Sequence, residues 1–181
     1  MGVIKMNEKT KGLVWASLFL AIGIDIPYIF HVTGLPGQVF LPMHIPVILC
    51  GLILGGKYGL LVGVLSPLVN SAILGMPPIF PTGVAMVFEL ATYGFITGVL
   101  YKGKKYNIFM SLIIAMILGR VVSGIANYIL LTVGGSGFIL SAFITGTFVK
   151  GVWGMIIQLI LIPILVKVIE KVKKGNVLVN E

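Results

Sequence analysis

Asn107-Ile-Phe-Met-Ser-Leu-Ile-Ile-Ala-Met-Ile-Leu-Gly-Arg120-Val-Val-Ser-Gly-Ile-Ala-Asn127-Tyr-Ile-Leu-Leu-Thr132 decides the fold. It carries one charged side chain, Arg120, in a run longer than the roughly 20 apolar residues that a helix needs to cross a bilayer. Outward from it, runs of the same kind cover residues 141–168 on one side and 83–101, 58–75, 41–55 and 12–30 on the other. The sequence thus predicts an all-α polytopic membrane protein: six transmembrane helices in a single integral membrane domain over residues 1–181. The run at 41–55 is the shortest, and Pro42 and Pro46 suit a first helical turn, where no intrahelical donor is lost.

The composition agrees. Of 181 residues, 58% are hydrophobic and 10% charged, with a mean hydropathy of +1.13. Soluble domains carry about 25% charged residues to cover their surface, so here lipid must solvate most of the apolar side chains. The single cysteine, Cys50, excludes an internal disulfide and reads as a small buried hydrophobe. No cleavable signal peptide is expected, because the first apolar run is long enough to span and lacks a small-residue cleavage site.

The net charge of +8 is distributed by topology rather than gathered for nucleic acid. Lys5, Lys9 and Lys11 precede the first helix, Lys57 lies between the second and third, Lys102, Lys104 and Lys105 between the fourth and fifth, and Lys167, Lys171, Lys173 and Lys174 follow the sixth. The alternate loops, around 31–40, 75–82 and 133–140, have no lysine or arginine. The positive-inside rule then places both termini in the cytoplasm of a multi-pass cell-membrane protein. The opposite loops are Gly- and Pro-rich (Thr33-Gly34-Leu35-Pro36-Gly37-Gln38, Gly75-Met76-Pro77-Pro78, Gly134-Gly135-Ser136-Gly137), and the first is long enough to fold over a site. Gly51, Gly55, Gly59 and Gly63, and Gly94 with Gly98, recur every four residues, the spacing that lets helices approach closely.

Ionisable groups inside a bilayer are costly and mark function by default. Asp25, Glu89, Arg120 and Lys150 fall inside the expected spans, with His31 and His44 at outer helix ends. At about 1.5 Å of rise per residue, these groups, Asn70 and Asn127 occupy one level, from the midplane outward, above a nearly uniformly apolar inner half. Two readings are open. Glu89 with Arg120 and Asp25 with Lys150 could be internal pairs that only neutralise each other, or some of these groups could line a pocket open to the outside. Arg120 and Lys150 would then grip an anionic or strongly polar group, Glu89, Asn70, Asn127 and His44 would orient it, and Phe80, Phe88 and Tyr93 would supply walls.

Enzymatic function is not expected. The sequence has no G-x-x-x-x-G-K-[ST] phosphate loop, G-x-S-x-G elbow or H-E-x-x-H helix, implies no cofactor, and has no Cys/His/Asp/Glu cluster at metal-ligand spacing. A stand-alone secondary carrier with a proton relay at Asp25 or Glu89, and a membrane assembly protein whose buried charges only pair helices, remain as other classes. A channel does not suit an apolar inner half.

Leu41-Pro-Met-His-Ile-Pro-Val47, Gly51, Gly55-Gly56-Lys57-Tyr58-Gly59, Gly63, Gly75-Met-Pro-Pro-Ile-Phe-Pro81 and Phe88-Glu89-Leu90-Ala91-Thr92-Tyr93-Gly94 resemble the substrate-binding S components of energy-coupling factor (ECF) transporters, over roughly residues 12–168. The resemblance implies a subunit that captures a water-soluble vitamin from outside and works with a membrane scaffold subunit and two ATPase subunits. Small residues four apart on the family's first helix face the scaffold; Ser17 and Ala21 match that spacing, with Ala16 adjacent and the serine replacing the usual alanine. The resemblance also implies that the outer loops and the last three helices enclose the substrate. Two basic groups fit a carboxylate-bearing, hydroxylated vitamin, with pantothenate first and pyridoxine, a hydroxymethylpyrimidine or riboflavin as alternatives. The expected partners are thus the scaffold, the ATPases, the vitamin and membrane lipid, and no nucleic acid.

Overall fold

The structure is a computed structural model that describes residues 7–135 and 137–178; the side chains of Gln38, Phe148, Lys150 and residues 173–178 lie outside that description. Lys5 and Ser136, and the side chains of Lys173 and Lys174, are therefore not placed.

Helix follows helix, and the described residues contain no strand. Helix α1 spans Glu8–Val32, begun by Asn7, whose side chain accepts from the Lys9 N–H at 3.3 Å. A single turn, α2 (Gly37–Phe40), sits in the first outer loop, followed by α3 (His44–Leu54) and α4 (Gly56–Leu74). Helix α5 (Val84–Thr97) is entered through a wide turn at Ile79–Gly83, in which Phe80 is extended, and left through a π-helical stretch at Gly98–Gly103. Helix α6 spans Ile108–Val133, capped by Asn107. The last apolar run is α7 (Leu140–Ile144), a π-helical stretch at Thr145–Lys150, and α8 (Val152–Leu178).

Five of these segments are long and apolar enough to cross a membrane: Glu8–Val32, Gly56–Leu74, Ile79–Gly103, Ile108–Val133 and Leu140–Val172. The sixth expected span is different. Helix α3 has 11 residues, which at about 1.5 Å each reach only half-way through the hydrocarbon. It begins at His44 rather than Leu41 because Leu41 adopts a left-handed conformation (φ 51°) that closes α2. Helix α3 is instead a central pillar: Val47, Ile48, Leu49, Cys50, Leu52 and Ile53 are all buried, and α1, α4, α5 and α8 pack around it. Cys50 is a buried free thiol, as its apolar setting suggested.

Glycine permits the tightest packing. A Cβ on Gly51 or Gly59 would strike the Gly94 carbonyl, one on Gly63 the Leu90 carbonyl, and one on Gly98 the backbone of Gly55 and Gly56. Helices α3, α4 and α5 thus meet backbone to backbone, which explains the four-residue glycine spacing.

The lysine-rich segments share one end of the bundle. The Tyr58 hydroxyl donates to the Lys9 carbonyl at 3.5 Å, the Lys102 ammonium to the Ile53 carbonyl at 2.9 Å, and the Tyr101 hydroxyl to the Glu170 carboxylate at 3.1 Å. These contacts join the start of α1, the α3–α4 corner, the end of the α5 segment and the late part of α8. The opposite end carries α2, the Gly75–Pro78 loop and α7.

Candidate functional site

Among the described residues, the outer half of the bundle contains one buried ionic cluster. Glu89 is presented by α5, Arg120 by α6 and His44 by the first turn of α3, at 5%, 6% and 2% exposure. Arg120 Nη1 donates to Glu89 Oε1 at 2.7 Å. His44 Nε2 lies 3.3 Å from the same oxygen, and because a carboxylate only accepts, that ring nitrogen carries the hydrogen. Tyr93, one turn below Glu89, is 1% exposed and lies with its ring 5.3 Å from that of His44. Its position depends on Gly119, where a Cβ would collide with the Tyr93 ring. Each of these groups is on the inward face of its helix.

The cluster is richer in donors than its own acceptor can satisfy. Arg120 Nε and Nη2 are both buried without a hydrogen-bond partner, and so is His44 Nδ1, which with the ring hydrogen on Nε2 is an acceptor. A buried donor left without a partner costs about 1–3 kcal/mol. Such a surplus at one level suits a site that is completed by an oxygen-bearing ligand better than a closed structural pair.

The other candidates separate. Asn127, two turns above Arg120 on α6, is half-buried and donates to the Ser123 carbonyl at 2.8 Å, which puts it at the rim. Asn70 is fully buried, but its amide donates to the carbonyls of Gly23 (3.0 Å) and Ser66 (2.8 Å), tying α4 to α1 with no hydrogen bond to Glu89 or Arg120. Lys150 ends the stretch before α8, and its side chain lies outside the described residues. Asp25 and His31 are exposed on α1, and Phe88 is half exposed on the outside of α5. Phe80 lies over Gly134, 3.0 Å from where a Cβ there would sit. No group of three or more His, Cys, Asp or Glu is placed to hold a metal among the described residues.

Gln158 escaped the reading of the sequence, although the rule that picked out Arg120, a polar side chain inside an apolar run, applies to it equally. It faces inward on α8 at 1% exposure. An open cavity of about 290 Å³ lies elsewhere, at the lysine-rich end, among Leu52, Tyr101, Lys102, Lys105 and Glu170. Lys102 and Glu170 are both engaged there by protein groups, so it lacks the surplus seen around Arg120.

A family model described as the ECF transporter, substrate-specific component, matches residues 11–166. The chain belongs to this family. It is an S component, a multi-pass protein of the cell membrane and a subunit of a transporter. Neither the curated proteins nor the solved structures offer a match to it.

In this S component the first helix turns two faces to its surroundings. Ala16 is buried at 4% exposure together with Phe19 and Gly23, against α3 and α4. Ser17 and Ala21 are exposed on the other side, with the Ser17 hydroxyl satisfied by the Leu13 carbonyl at 2.6 Å. The small pair four residues apart is therefore on the outside, and Ala16 is not part of that face. The first outer loop also has a defined seat. A Cβ on Gly154 of α8 would lie 2.6 Å from the Val39 carbonyl and 2.9 Å from the Leu41 side chain, so α2 and its exit rest directly on α8. On the other flank, Phe40 packs edge-on against Phe30 of α1, with ring centroids 5.5 Å apart.

Proposed function

We propose that this S component is the substrate-capture subunit of an ECF-type importer, taking a small water-soluble vitamin from the extracellular side at the His44–Glu89–Arg120 cluster. The observation that carries the reading is the set of buried, unpartnered donors around Arg120, at the outer level of a bundle whose inner level is closed by contacting backbones. Tyr93 forms the floor, Asn127 stands at the rim, and Lys150 is the second cation assigned to the pocket. Pantothenate is the first candidate; pyridoxine, a hydroxymethylpyrimidine and riboflavin are the alternatives in the same role. Asn70 acts on the site indirectly, by fixing α4 against α1.

Capture and translocation divide between partners. The chain has no phosphate loop of its own, so a scaffold subunit and two ATPase subunits supply the energy. Ser17 and Ala21 form the scaffold-facing strip. Because α3, α4 and α5 touch backbone to backbone below the cluster, the loaded protein has no polar path through its inner half, and release requires the whole subunit to reorient against the scaffold.

A vitamin panel tests the reading by thermal shift on the purified protein. A ligand that binds the native state at 100 times its Kd stabilises it by about 2.7 kcal/mol, so one vitamin will raise the melting temperature by several degrees. No shift with any vitamin removes the capture role. Vitamin uptake into proteoliposomes that lack the ATPases, driven by a proton gradient, replaces it with a stand-alone carrier.

The seat of α2 gives a second expectation. Gly154→Val will push α2 off α8 and speed vitamin release by about tenfold, since changes at one interface act mostly on the off-rate. The ligand-free melting temperature will change little, because the contact involves one surface turn. Dissociation of a labelled vitamin from the variant checks this, and an unchanged off-rate means that the first outer loop does not retain the vitamin.

A further inference from the structure

The three guanidinium nitrogens of Arg120 are not equivalent. Nη1 is committed to Glu89 Oε1 at 2.7 Å. Nε and Nη2, both buried and both without a partner, share the opposite edge of the same planar fork. Two parallel N–H groups on one edge match the two oxygens of a carboxylate, which a guanidinium grips in two hydrogen bonds at once. Glu89 cannot fill that edge while it holds Nη1.

That edge faces a residue without a side chain. The chain breaks between the π-helical stretch Thr145–Lys150 and α8, and the residue at the break is Gly151. Gly151 is buried, and a Cβ there would lie 3.2 Å from Arg120 Nη2, in the space an incoming oxygen needs. Two turns further along the buried face of α8, Gln158 Nε2 is another unpartnered donor. His44, with its hydrogen on Nε2 toward Glu89, presents Nδ1 in the neutral ring as an acceptor. A phosphate dianion would bring two further negative charges close to Glu89, and a neutral vitamin, even one with two adjacent acceptors, would leave the charge of that edge without a counter-charge.

We propose that the Nε–Nη2 edge of Arg120, kept open by the missing side chain of Gly151, is a slot for the carboxylate of the substrate. This makes the ligand a vitamin acid and Gly151 a specificity-determining position. The inference rests on the capture reading above and adds the charged group by which the ligand is held. His44 Nδ1 then accepts from a ligand hydroxyl.

The test pairs acids with their uncharged counterparts on the full-length purified protein, by calorimetry and thermal shift: pantothenate with pantothenyl alcohol, nicotinate with nicotinamide, biotin with its amide. Pyridoxine, hydroxymethylpyrimidine and riboflavin serve as neutral vitamins. One acid will bind, and its uncharged counterpart will bind about tenfold to a hundredfold more weakly, the range expected when a charge-assisted hydrogen-bond pair is lost. Arg120→Lys keeps a cation beside Glu89 but has no fork, and Gly151→Ala keeps the fork but fills the slot. Each will lower the affinity for the acid by about tenfold or more; Arg120→Lys will melt close to the parent, whereas Gly151→Ala will melt lower, because its Cβ would also strike the Thr147 carbonyl. A neutral vitamin as the preferred ligand, equal binding of an acid and its counterpart, or unchanged acid affinity in both variants overturns the carboxylate slot and leaves capture standing. Failure of every acid and every neutral vitamin to bind overturns capture itself.

Discussion

Arg120→Leu will destabilise the protein by about 3–5 kcal/mol, the cost of leaving one member of a buried ion pair without its partner. Glu89 is 5% exposed and receives its shortest hydrogen bond, 2.7 Å, from Arg120. With leucine at position 120 the carboxylate keeps His44, at 3.3 Å, and the Ser123 and Tyr93 hydroxyls, but loses its cation in a setting that water does not reach. For a chain of this length each kcal/mol corresponds to roughly 2–4 °C, so the melting temperature will fall on the order of 10 °C in detergent. The double replacement Glu89→Leu with Arg120→Leu removes both charges and will recover most of the loss, because an apolar pair of similar volume is often as stable as a buried ion pair. The two single variants will therefore be strongly non-additive in a double-mutant cycle. The double variant will also bind no vitamin, which separates what the pair does for stability from what it does for capture. A melting temperature for Arg120→Leu within a degree or two of the parent would mean that Glu89 and Arg120 do not depend on each other as drawn.

Much of this arrangement is legible in the sequence, for reasons of solvent. Lipid cannot satisfy a charge, so Glu89, Arg120 and His44 stand out from apolar surroundings and their shared depth follows from counting residues. The glycine spacing is legible for a related cause: in a bilayer, close backbone approach is a main source of helix packing, and only small residues permit it. The lysine pattern marks one end of the bundle, and the structure gathers Lys9, Lys57 and Lys102 there.

What stayed hidden depends on backbone geometry that composition does not encode. Hydropathy counts the run at 41–55 as a span, yet the left-handed Leu41 shortens it to an 11-residue helix buried on every side. The break at Gly151 falls inside a continuous apolar run and is visible only once Arg120 is seen to face it. Asn70 shares the depth of the cluster but not its direction; depth follows from residue number, whereas direction depends on which neighbour the helix faces. Its amide nitrogen donates to Gly23 of α1 and to Ser66 of its own helix, while its Oδ1 is buried without a partner.

Gly94→Leu will abolish folding, and Gly94→Ala will cost about 1–3 kcal/mol, the range for overpacking a close-packed interior. The obstacle is backbone. A Cβ on Gly94 would overlap the carbonyl of Gly59 and lie 2.9 Å from its Cα, and neither can rotate away as a side chain end could. Helices α4 and α5, which share the most extensive interface among the described residues, would have to separate. Gly103→Ala is the control. A Cβ there would meet only the Gly98 carbonyl, at 4.0 Å, so that variant will melt with the parent. The damage at Gly94 also reaches the site, since Gly94 follows Tyr93 directly and lies little more than one turn below Glu89 on the same helix. Moving α5 outward shifts Glu89 away from His44, whose helix α3 meets the same glycines from the other side through Gly51. The fraction of Gly94→Ala that still folds will therefore bind vitamin more weakly than Gly103→Ala does, and calorimetry on the two proteins reads that difference. Equal affinities in the two variants, with equal melting, would show that the three backbones do not meet at Gly94 and that the inner half is not closed in this way.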